Sequence, residues 1–222
     1  MRRLAVFLLF LGGLAYGQSG NLPDKFVYLN DVDPTIEIDV RYATADNFVG
    51  KKVDGYHAKK IIITEAAANA LQKIQAELKK EGLALKVFDA YRPRRAVNHF
   101  VRWARDRNDT RTKKEYYPGV PKNMLVGGGY ISGLSRHSSG STVDLTLIDS
   151  KGKELDMGTH FDFFGPESAH SSQIPTPEQQ ENRRKLKAVM GKGGFRSYYK
   201  EWWHYTLRGE PFAGEYFDFP VE

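Results

Sequence analysis

The feature that most limits how this chain can fold is a set of histidines and carboxylates in two distant motifs. His137 and Asp144 lie seven residues apart in the segment 135–144, and His204 ends the segment 201–204, Glu-Trp-Trp-His. Two imidazoles and one carboxylate form a ligand set for a catalytic zinc ion, which leaves the fourth tetrahedral position to water. A fold that uses this set must bring both motifs to one point.

The first motif contains a flexible link between its two candidate ligands. Residues 138–141, Ser-Ser-Gly-Ser, are small, so the loop that carries His137 can fold back towards the strand that carries Asp144. Asp144 lies between Val143 and Leu145, and an unpaired carboxylate in such an apolar strand is costly unless a metal ion binds it. The alternative is a surface-loop histidine and a turn aspartate, and this motif by itself does not decide between the two.

The second motif adds a carboxylate that can act beside a metal ion without binding it. In an extended strand Glu201 and His204 would lie on opposite faces, so they converge only if the segment bends or forms a turn. The two tryptophans between them would then wall the site and exclude water. The alternative is an aromatic core strand with a hydrogen-bonded histidine, and the presence of the first motif favours the metal site.

Arg92 is a further candidate for the same site. It follows a predicted strand in the segment 89–93, Asp-Ala-Tyr-Arg-Pro, and the proline after it favours an extended backbone. A guanidinium there can bind a carbonyl oxygen as it becomes an oxyanion, or a substrate carboxylate. Taken without the other motifs, a surface turn arginine is the simpler interpretation. Asp89 either orients Arg92 or begins the turn.

The composition narrows the chemistry. The 222 residues are 41% hydrophobic and 27% charged, as expected for one domain with a sizeable core, and they include no cysteine. Disulfides, thiolate metal sites and cysteine nucleophiles are therefore excluded. The glycines at 127–129 lack the Lys-Ser/Thr of a phosphate loop. Four histidines lack neighbouring ligands and are poorer metal candidates: His57, His99, His160 and His170.

Residues 1–17 have the pattern of a secretory signal peptide. Two arginines precede the apolar run 4–14, and the small residues at 15 and 17 predict cleavage after Gly17. The apolar run is shorter than the ~20 residues that span a bilayer. We therefore expect residues 18–222 to form an exported domain, periplasmic or extracellular, with no stable membrane insertion after cleavage.

The formal net charge of +6 is spread along the chain. Its densest part, residues 102–114, could contact anionic wall polymers or nucleic acid, but a solvated helix end and loop is the simpler interpretation.

The pattern of apolar residues predicts an α+β fold rather than a doubly wound sheet, because helices cluster early and strands late. Helices are expected at 65–80 with Thr64 as N-cap, at 94–107 with Val97, Phe100, Val101 and Ala104 buried, and from Pro177 to 190 with Gly191 as the stop. Strand-like segments are expected at 36–42, 60–63, 83–91, 141–148 and 195–207. Residues 108–134 and 149–175 are expected to be irregular.

Several blocks of the sequence resemble a known enzyme family. The spacing Ser-x-His-x-x-Gly-x-x-x-Asp at 135–144, followed by Glu-x-x-His at 201–204, resembles the signature of the LAS metallopeptidases, which include D-Ala-D-Ala peptidases and hedgehog domains. Five blocks are similar, in the same order, to VanX-type D-alanyl-D-alanine dipeptidases: 41–50, 89–93, 141–147, 156–162 and 201–204. The resemblance runs from about 27 to 208 and implies a LAS or hedgehog-like fold, with helices around a central, mostly antiparallel sheet.

The resemblance also implies catalytic roles for the matching residues. His137, Asp144 and His204 would bind one zinc ion per chain, Glu201 would be the general base, and Arg92 would stabilise the tetrahedral intermediate. The implied reaction is hydrolysis of D-alanyl-D-alanine and related small D,D-dipeptides to free amino acids.

Three further residues match positions around the dipeptide pocket of that family: Tyr42, Ser135 and Asp162. Asp162 would receive the substrate ammonium. The implied partner is a small dipeptide and not a nucleic acid, and the sequence gives no oligomeric state.

Three other functions remain open at this point. A D,D-carboxypeptidase acting on peptidoglycan stem peptides would use the same chemistry, and export favours it. A zinc-containing binding module without catalysis is opposed by the presence of Glu201 and Arg92, since binding needs neither. A wall-polymer interaction protein would use the basic helix at 94–107.

Overall fold

A five-stranded sheet lies at the centre of the computed structural model, which describes residues 22–222. The strands of the described chain are β1 (Phe26–Tyr28), β2 (Glu37–Ile38), β3 (Ile62–Thr64), β4 (Leu83–Asp89), β5 (Thr142–Asp149), β6 (Phe195–Ser197) and β7 (His204–Leu207). The central sheet has the order β2-β4-β5-β7-β6, and β1 pairs separately with β3. Only the β2–β4 pairing of this sheet is parallel. The α+β class and the mostly antiparallel sheet are therefore confirmed.

Helices and 3-10 turns surround this sheet. The helices of residues 22–222 are α1 (Leu29–Val32), α2 (Glu65–Lys79), α3 (Arg94–Arg105), α4 (Lys113–Tyr116), α5 (Met124–Gly127) and α6 (Pro177–Lys192). The 3-10 turns are Arg41–Ala43, Arg136–Ser139 and Pro166–Ser168. Within this range no helix combines the length and apolar character needed to cross a bilayer. The predicted signal peptide, residues 1–17, lies outside the described residues.

Helix α2 forms where the sequence predicted it. The Thr64 hydroxyl accepts a hydrogen bond from the backbone N–H of Ala67, which satisfies one of the free donors at the helix start. On the inner face, the fully buried Gln75 donates to the carbonyl of Thr35 and accepts from the N–H of Leu85, both at 2.8 Å. The hydrogen bond to Leu85 attaches α2 to β4, because a buried amide must find partners for its donor and acceptor.

Helix α3 ends at Arg105 rather than at 107, and its buried face differs from the prediction. Val97, Phe100 and Ala104 are buried as expected, but Val101 is only half-buried and Trp103 takes its place in the core. The positions 97, 100 and 104 follow the three- and four-residue spacing of one helix face, and position 101 falls at the edge of that face.

Helix α6 begins as predicted and ends later than predicted. Thr176 and Gln179 form a reciprocal capping box at its start. The helix continues through Gly191 to Lys192, and the left-handed turn falls at Gly194 with φ 91°. A glycine inside a helix weakens it without ending it, so Gly191 was the wrong stop.

Two predicted strand-like segments are interrupted by turns. The segment 36–42 contains the two residues of β2 and then enters a 3-10 turn, and the segment 195–207 divides into β6 and β7. Residues 201–203 lie in the turn between these strands. The region 108–134, expected to be irregular, contains the short helices α4 and α5.

The C-terminal segment 209–222, for which the sequence suggested no role, packs against the loop that carries His137. The backbone N–H of Phe217 donates to the carbonyl of Ser138 at 3.0 Å. The rings of Phe212, Phe217 and Phe219 lie 5.1–5.5 Å from the ring of Phe26. This aromatic cluster supports the turn beneath the candidate site.

Candidate active site

The sheet register places two carboxylates and one histidine in a single row. Asp144 on β5 lies opposite Asp89 at the end of β4 and opposite His204 on β7. Directly opposed residues of antiparallel strands point to the same face of the sheet, so these three side chains converge. Asp144 is fully enclosed there, with 2% of its surface exposed.

His137 reaches this row through a tight turn. Ser135 caps the turn Arg136–Ser139, and its hydroxyl accepts from the N–H of His137 at 3.3 Å. Gly140 ends the turn with φ 83°, a left-handed conformation that favours glycine. A Cβ at Gly140 would lie 2.8 Å from Cζ of Phe26 and closer still to its Cε1. The small residues at 138–141 therefore fold the chain back as the sequence predicted.

The three predicted ligands meet at one point. Nε2 of His137 lies 3.3 Å from Nδ1 of His204 and 3.2 Å from Oδ2 of Asp144. Nδ1 of His204 lies 3.1 Å from Oδ1 of Asp144. Donors about 2.0–2.1 Å from a tetrahedral ion lie about 3.3 Å from each other. The observed spacing therefore suits a single metal ion held by all three side chains.

Hydrogen bonding around the three side chains also favours a cation. Nδ1 of His137 lies 2.7 Å from the carbonyl oxygen of Ala90 and donates to it, which leaves Nε2 free as a metal ligand. Oδ1 of Asp144 is buried and, although Nδ1 of His204 lies 3.1 Å away, the geometry forms no hydrogen bond to this oxygen among the described residues. Such an orphaned acceptor costs about 1–3 kcal/mol. These residues therefore fit a metal ion.

The protonation states of two ligands suit metal binding. Burial alone would raise the pKa of Asp144, but His137 and His204 outweigh it and hold that pKa well below its usual range. Burial lowers the pKa of His204, which favours the neutral imidazole. A metal ion binds the carboxylate and the neutral imidazole, which are the forms this environment favours.

Glu201 lies beside the three ligands, on the turn between β6 and β7. The N–H of His204 donates back to the carbonyl of Glu201 at 3.4 Å, which gives the turn that the motif required. The Glu201 carboxylate lies 3.5 Å from Nδ1 of His204 but is not one of the donors that share the candidate metal point. Burial, reinforced by Asp144 and Asp162, raises the pKa of Glu201 well above its usual value. A carboxyl group of raised pKa at this position suits proton transfer.

Arg92 is aimed at the same point. Its Nε donates to Asp89 at 2.8 Å, and its Nη2 donates to Oδ2 of Asp144 at 3.1 Å. The other oxygen of Asp89 accepts from the hydroxyl of Tyr56 at 2.6 Å. Of the two roles considered for Asp89, the structure supports orientation of Arg92. The guanidinium is thus a fixed positive charge next to the candidate metal point.

A small cavity opens in front of these groups. Its volume is about 240 Å³, below the ~300–1,000 Å³ typical of sites for drug-sized ligands. Ser135, Tyr42 and Asp162 all line it, together with Glu201 and Arg92. The Tyr42 hydroxyl donates to Oδ2 of Asp162 at 2.8 Å. Burial, with a contribution from the nearby Asp144 charge, raises the pKa of Asp162 to about 8.

Several cavity residues were not found by sequence reasoning. Tyr130, Ile131 and Leu134 line the cavity from a segment that looked like an ordinary loop, and Tyr198 lines it as well. The Tyr198 hydroxyl donates to the carbonyl of Gly129 at 3.0 Å, which attaches Tyr198 to that segment. The glycine triplet followed by apolar residues was the only local signal. Tyr56 and the Ala90 carbonyl gave none, because their contacts depend on tertiary structure.

The other histidines have separate environments. Nδ1 of His99, on α3, accepts from the N–H of Asp54 at 3.1 Å.

Two arginines of the dense basic segment 102–114 also have local partners, since Arg102 pairs with Asp54 and Arg111 pairs with Asp109.

Comparisons with known proteins identify several similar chains. Three curated proteins named D-alanyl-D-alanine dipeptidase are similar to the chain over most of its length. The Enterococcus faecium protein is 41% identical over 199 residues, covering 89% of this chain and 98% of the relative. The Enterococcus faecalis protein is 42% identical and covers 90% and 100%, and the Streptomyces coelicolor protein is 42% identical and covers 88% and 98%.

The family model described as "D-ala-D-ala dipeptidase" matches residues 23–222, which is nearly all of the described chain. The matched range contains all eight residues that the sequence assigned to the site, from Tyr42 to His204. On both counts, the chain belongs to the Peptidase_M15 family of D-Ala-D-Ala dipeptidases.

Proposed function

We propose that this protein is a zinc dipeptidase that hydrolyses D-alanyl-D-alanine and related small D,D-dipeptides to free amino acids. The observation that carries the proposal is the convergence of His137, Asp144 and His204 at tetrahedral spacing with Glu201 beside them. The activity for which the relatives that share 41–42% identity with the chain are named supports the choice of substrate.

Zinc is the metal that this donor set suits best. Two imidazoles and one carboxylate match the ligands of catalytic zinc sites, which keep an open coordination position. When bound by His137, Asp144 and His204, the ion supplies Lewis acidity to the substrate carbonyl and to the attacking water. The Ala90 carbonyl holds the His137 ring in the tautomer that this binding needs.

Glu201 acts as the general base and then as the general acid. Its carboxylate accepts a proton from the attacking water and later delivers that proton to the departing amine. Its carboxylate lies 3.5 Å from Nδ1 of His204, beside the candidate metal point where the water and the departing amine would lie. Trp203 next to it is buried and keeps bulk water away from the carboxyl group.

Arg92 stabilises the negative charge that develops on the carbonyl oxygen. The guanidinium is already oriented by Asp89, so little reorganisation is needed as the charge forms. Its side chain is 12% exposed, and a charge in such a dry setting interacts more strongly than one in water.

Asp162 receives the substrate ammonium at the other end of the cavity. The carboxyl group is buried and its hydrogen bond from Tyr42 fixes the orientation. A substrate ammonium would favour the ionised carboxylate, whereas a longer peptide has an amide at this position and brings no cation to the buried Asp162. This argument favours the dipeptidase over the D,D-carboxypeptidase.

The test is an amine-release assay with D-Ala-D-Ala, with L-Ala-L-Ala and with a stem pentapeptide that ends in D-Ala-D-Ala. We expect turnover of the D,D-dipeptide that a chelator abolishes and zinc restores, and little turnover of the other two. Faster release from the pentapeptide would instead identify a D,D-carboxypeptidase. No chelator-sensitive release from any substrate would contradict the proposal.

We further propose that the enzyme is exported, with residues 1–17 removed as a signal peptide. The basic start, the short apolar run and the small residues before the cleavage point support this. N-terminal sequencing of the protein recovered from a periplasmic or culture fraction should begin at Gln18. An intact Met1 in a protein confined to the cytoplasm would contradict it.

A further inference from the structure

One arginine of helix α6, Arg183, points into the interior of the protein. The side chain of Arg183 is almost fully buried, with 4% of the residue exposed. Its Nε donates to the carbonyl of Met157 at 2.6 Å, and its Nη1 donates to the carbonyls of Glu167 and Ala169 at 2.9 and 3.2 Å. Nη2 is buried and has no partner among the described residues. The guanidinium thus binds both ends of the segment 157–169.

Burying a guanidinium lowers the stability of a protein unless its interactions in the interior compensate for the lost hydration. Burial lowers the pKa of Arg183 to about 10, so the group is still a cation at neutral pH. A charge removed from water is costly even when it is hydrogen-bonded, and an apolar side chain of similar size is often as stable or more so. The guanidinium contributes something that an apolar residue cannot, which is a fork of donors that holds separate carbonyl groups at fixed distances.

The segment between the anchored carbonyls carries Asp162. Asp162 has φ 64°, a left-handed conformation that few non-glycine residues adopt, although aspartate tolerates it better than most. Contacts from the surrounding structure help to hold the residue in it. The carboxylate is thereby directed to Tyr42 and the cavity.

The opposite side of the segment is attached to the turn that carries Glu201. The indole N–H of Trp202 donates to Thr159 at 2.8 Å, and the backbone N–H of Trp202 donates to the carbonyl of Ser168 at 3.0 Å. The hydroxyls of Thr159 and Ser168 are 2.9 Å apart. The segment is therefore held on one side by α6 and on the other by the catalytic turn, with Asp162 between the two attachments.

We propose that Arg183 is a positioning residue for substrate binding, which fixes the segment 157–169 so that Asp162 faces the substrate ammonium. This rests on the proposed function, in which Asp162 binds that ammonium. Arg183 bonds neither the metal ligands nor Glu201 and lies outside the cavity lining. Its loss therefore acts on substrate affinity through Asp162, while the metal centre and the proton transfer remain intact.

The test compares the variants Arg183→Met and Arg183→Lys with the control Arg184→Met. Arg184 is the next residue of the same helix, is 61% exposed and pairs with Glu181, so its replacement leaves the segment untouched. For Arg183→Met we expect KM for D-Ala-D-Ala to rise about tenfold or more, because a small misplacement of a binding group is costly. The turnover number should stay within about twofold and the zinc content should be unchanged. The control should match the wild type.

A double-mutant cycle with Asp162→Asn distinguishes positioning from a general structural role. If Arg183 acts through Asp162, the double variant has the same KM as Asp162→Asn by itself. Additive effects on KM, or a loss of turnover and stability with unchanged KM, would overturn the inference. If Arg183→Met does not fold, Arg183→Lys serves in its place, because it keeps a cation but not the fork, and we expect the same rise in KM.

Hydrogen exchange gives a second readout. The N–H of Phe164 donates to the carbonyl of Tyr116, so this amide should exchange faster in the Arg183 variant, while β5 and the Trp202 amide on the turn that carries Glu201 stay protected. Unchanged protection of the Phe164 amide would count against the inference. A wild-type enzyme without dipeptidase activity would overturn the proposed function and the inference together. An active enzyme in which Asp162→Asn raises KM, while the Arg183 variants leave KM unchanged, would overturn the inference only.

Discussion

Replacement of Gly140 by alanine should destabilise the protein by an amount that the structure allows us to divide into two parts. The left-handed φ of 83° costs an alanine about 1–2 kcal/mol. The new Cβ would also press on the ring of Phe26, lying 2.8 Å from its Cζ. That ring is enclosed by Tyr91, Phe212, Phe217 and Phe219, so it cannot move freely, and such overpacking costs about 1–3 kcal/mol more. We expect a total loss of about 2–5 kcal/mol.

Gly82→Ala is the matched control for this prediction. Gly82 has a similar φ of 70°, but a Cβ there would meet nothing within 4 Å. It should therefore lose only the backbone part, about 1–2 kcal/mol. The free energy of unfolding of the two variants, measured by urea denaturation of the metal-free proteins, gives the difference directly.

The Gly140 variant should also bind zinc more weakly, because the strained turn carries His137. Equal losses of stability in the two variants would show that the Phe26 ring moves aside without a further loss of stability, and would refute the packing argument.

Three further predictions concern the site itself. Glu201→Gln should keep zinc but lose about three decades of turnover, roughly 4 kcal/mol of barrier, in a D-Ala-D-Ala assay paired with elemental analysis; near-normal turnover would refute its role as base. Arg92→Ala should lower turnover more than it weakens substrate affinity in steady-state kinetics, whereas a pure rise in KM would assign Arg92 to the substrate carboxylate. Because the pKa of Asp162 is raised, the folded metal-free protein keeps a proton on this carboxyl group that the unfolded chain releases at lower pH. The contribution of this bound proton to the free energy of unfolding is present near pH 4 and is lost as the pH rises through about 8. Urea unfolding across this range should therefore show a smaller decline for Asp162→Asn than for the wild type, and an equal decline would contradict the assignment.

The sequence predicted those parts of the fold that depend on local patterns. Thr64 and Thr176 cap their helices through hydrogen bonds to residues three positions later, and both helices begin where expected. The need for a turn between Glu201 and His204 followed from the two-residue period of a strand, and the turn is present. The small residues before Asp144 likewise indicated the fold-back that brings His137 to the sheet.

The parts that the sequence did not predict depend on contacts between distant segments. Val101 looked like a core residue because the pattern gives the width of an apolar face but not its centre. Trp103 is buried instead, against the rings of Phe48 and Tyr117. The hydrogen bond from Tyr56 to Asp89 spans 33 residues and leaves no mark on either local sequence. The link from Arg183 to the segment that carries Asp162 is of the same kind, since its acceptors are backbone carbonyls, which every residue possesses.

The resemblance to a known family supplied what local patterns could not. It identified Tyr42 and Asp162 as pocket residues although they lie 120 positions apart, and the structure joins them by a hydrogen bond. The roles assigned to them remain predictions, because proximity and burial describe a binding site without identifying its ligand.

The most direct test of the account is a zinc titration of the metal-free protein, followed by the rate of D-Ala-D-Ala hydrolysis. Because three ligands converge on a single point, activity should rise linearly and level off at one zinc ion per chain. Hydrolysis by the fully metal-free protein, or a rise that continues to two ions per chain, would contradict a mechanism based on His137, Asp144 and His204.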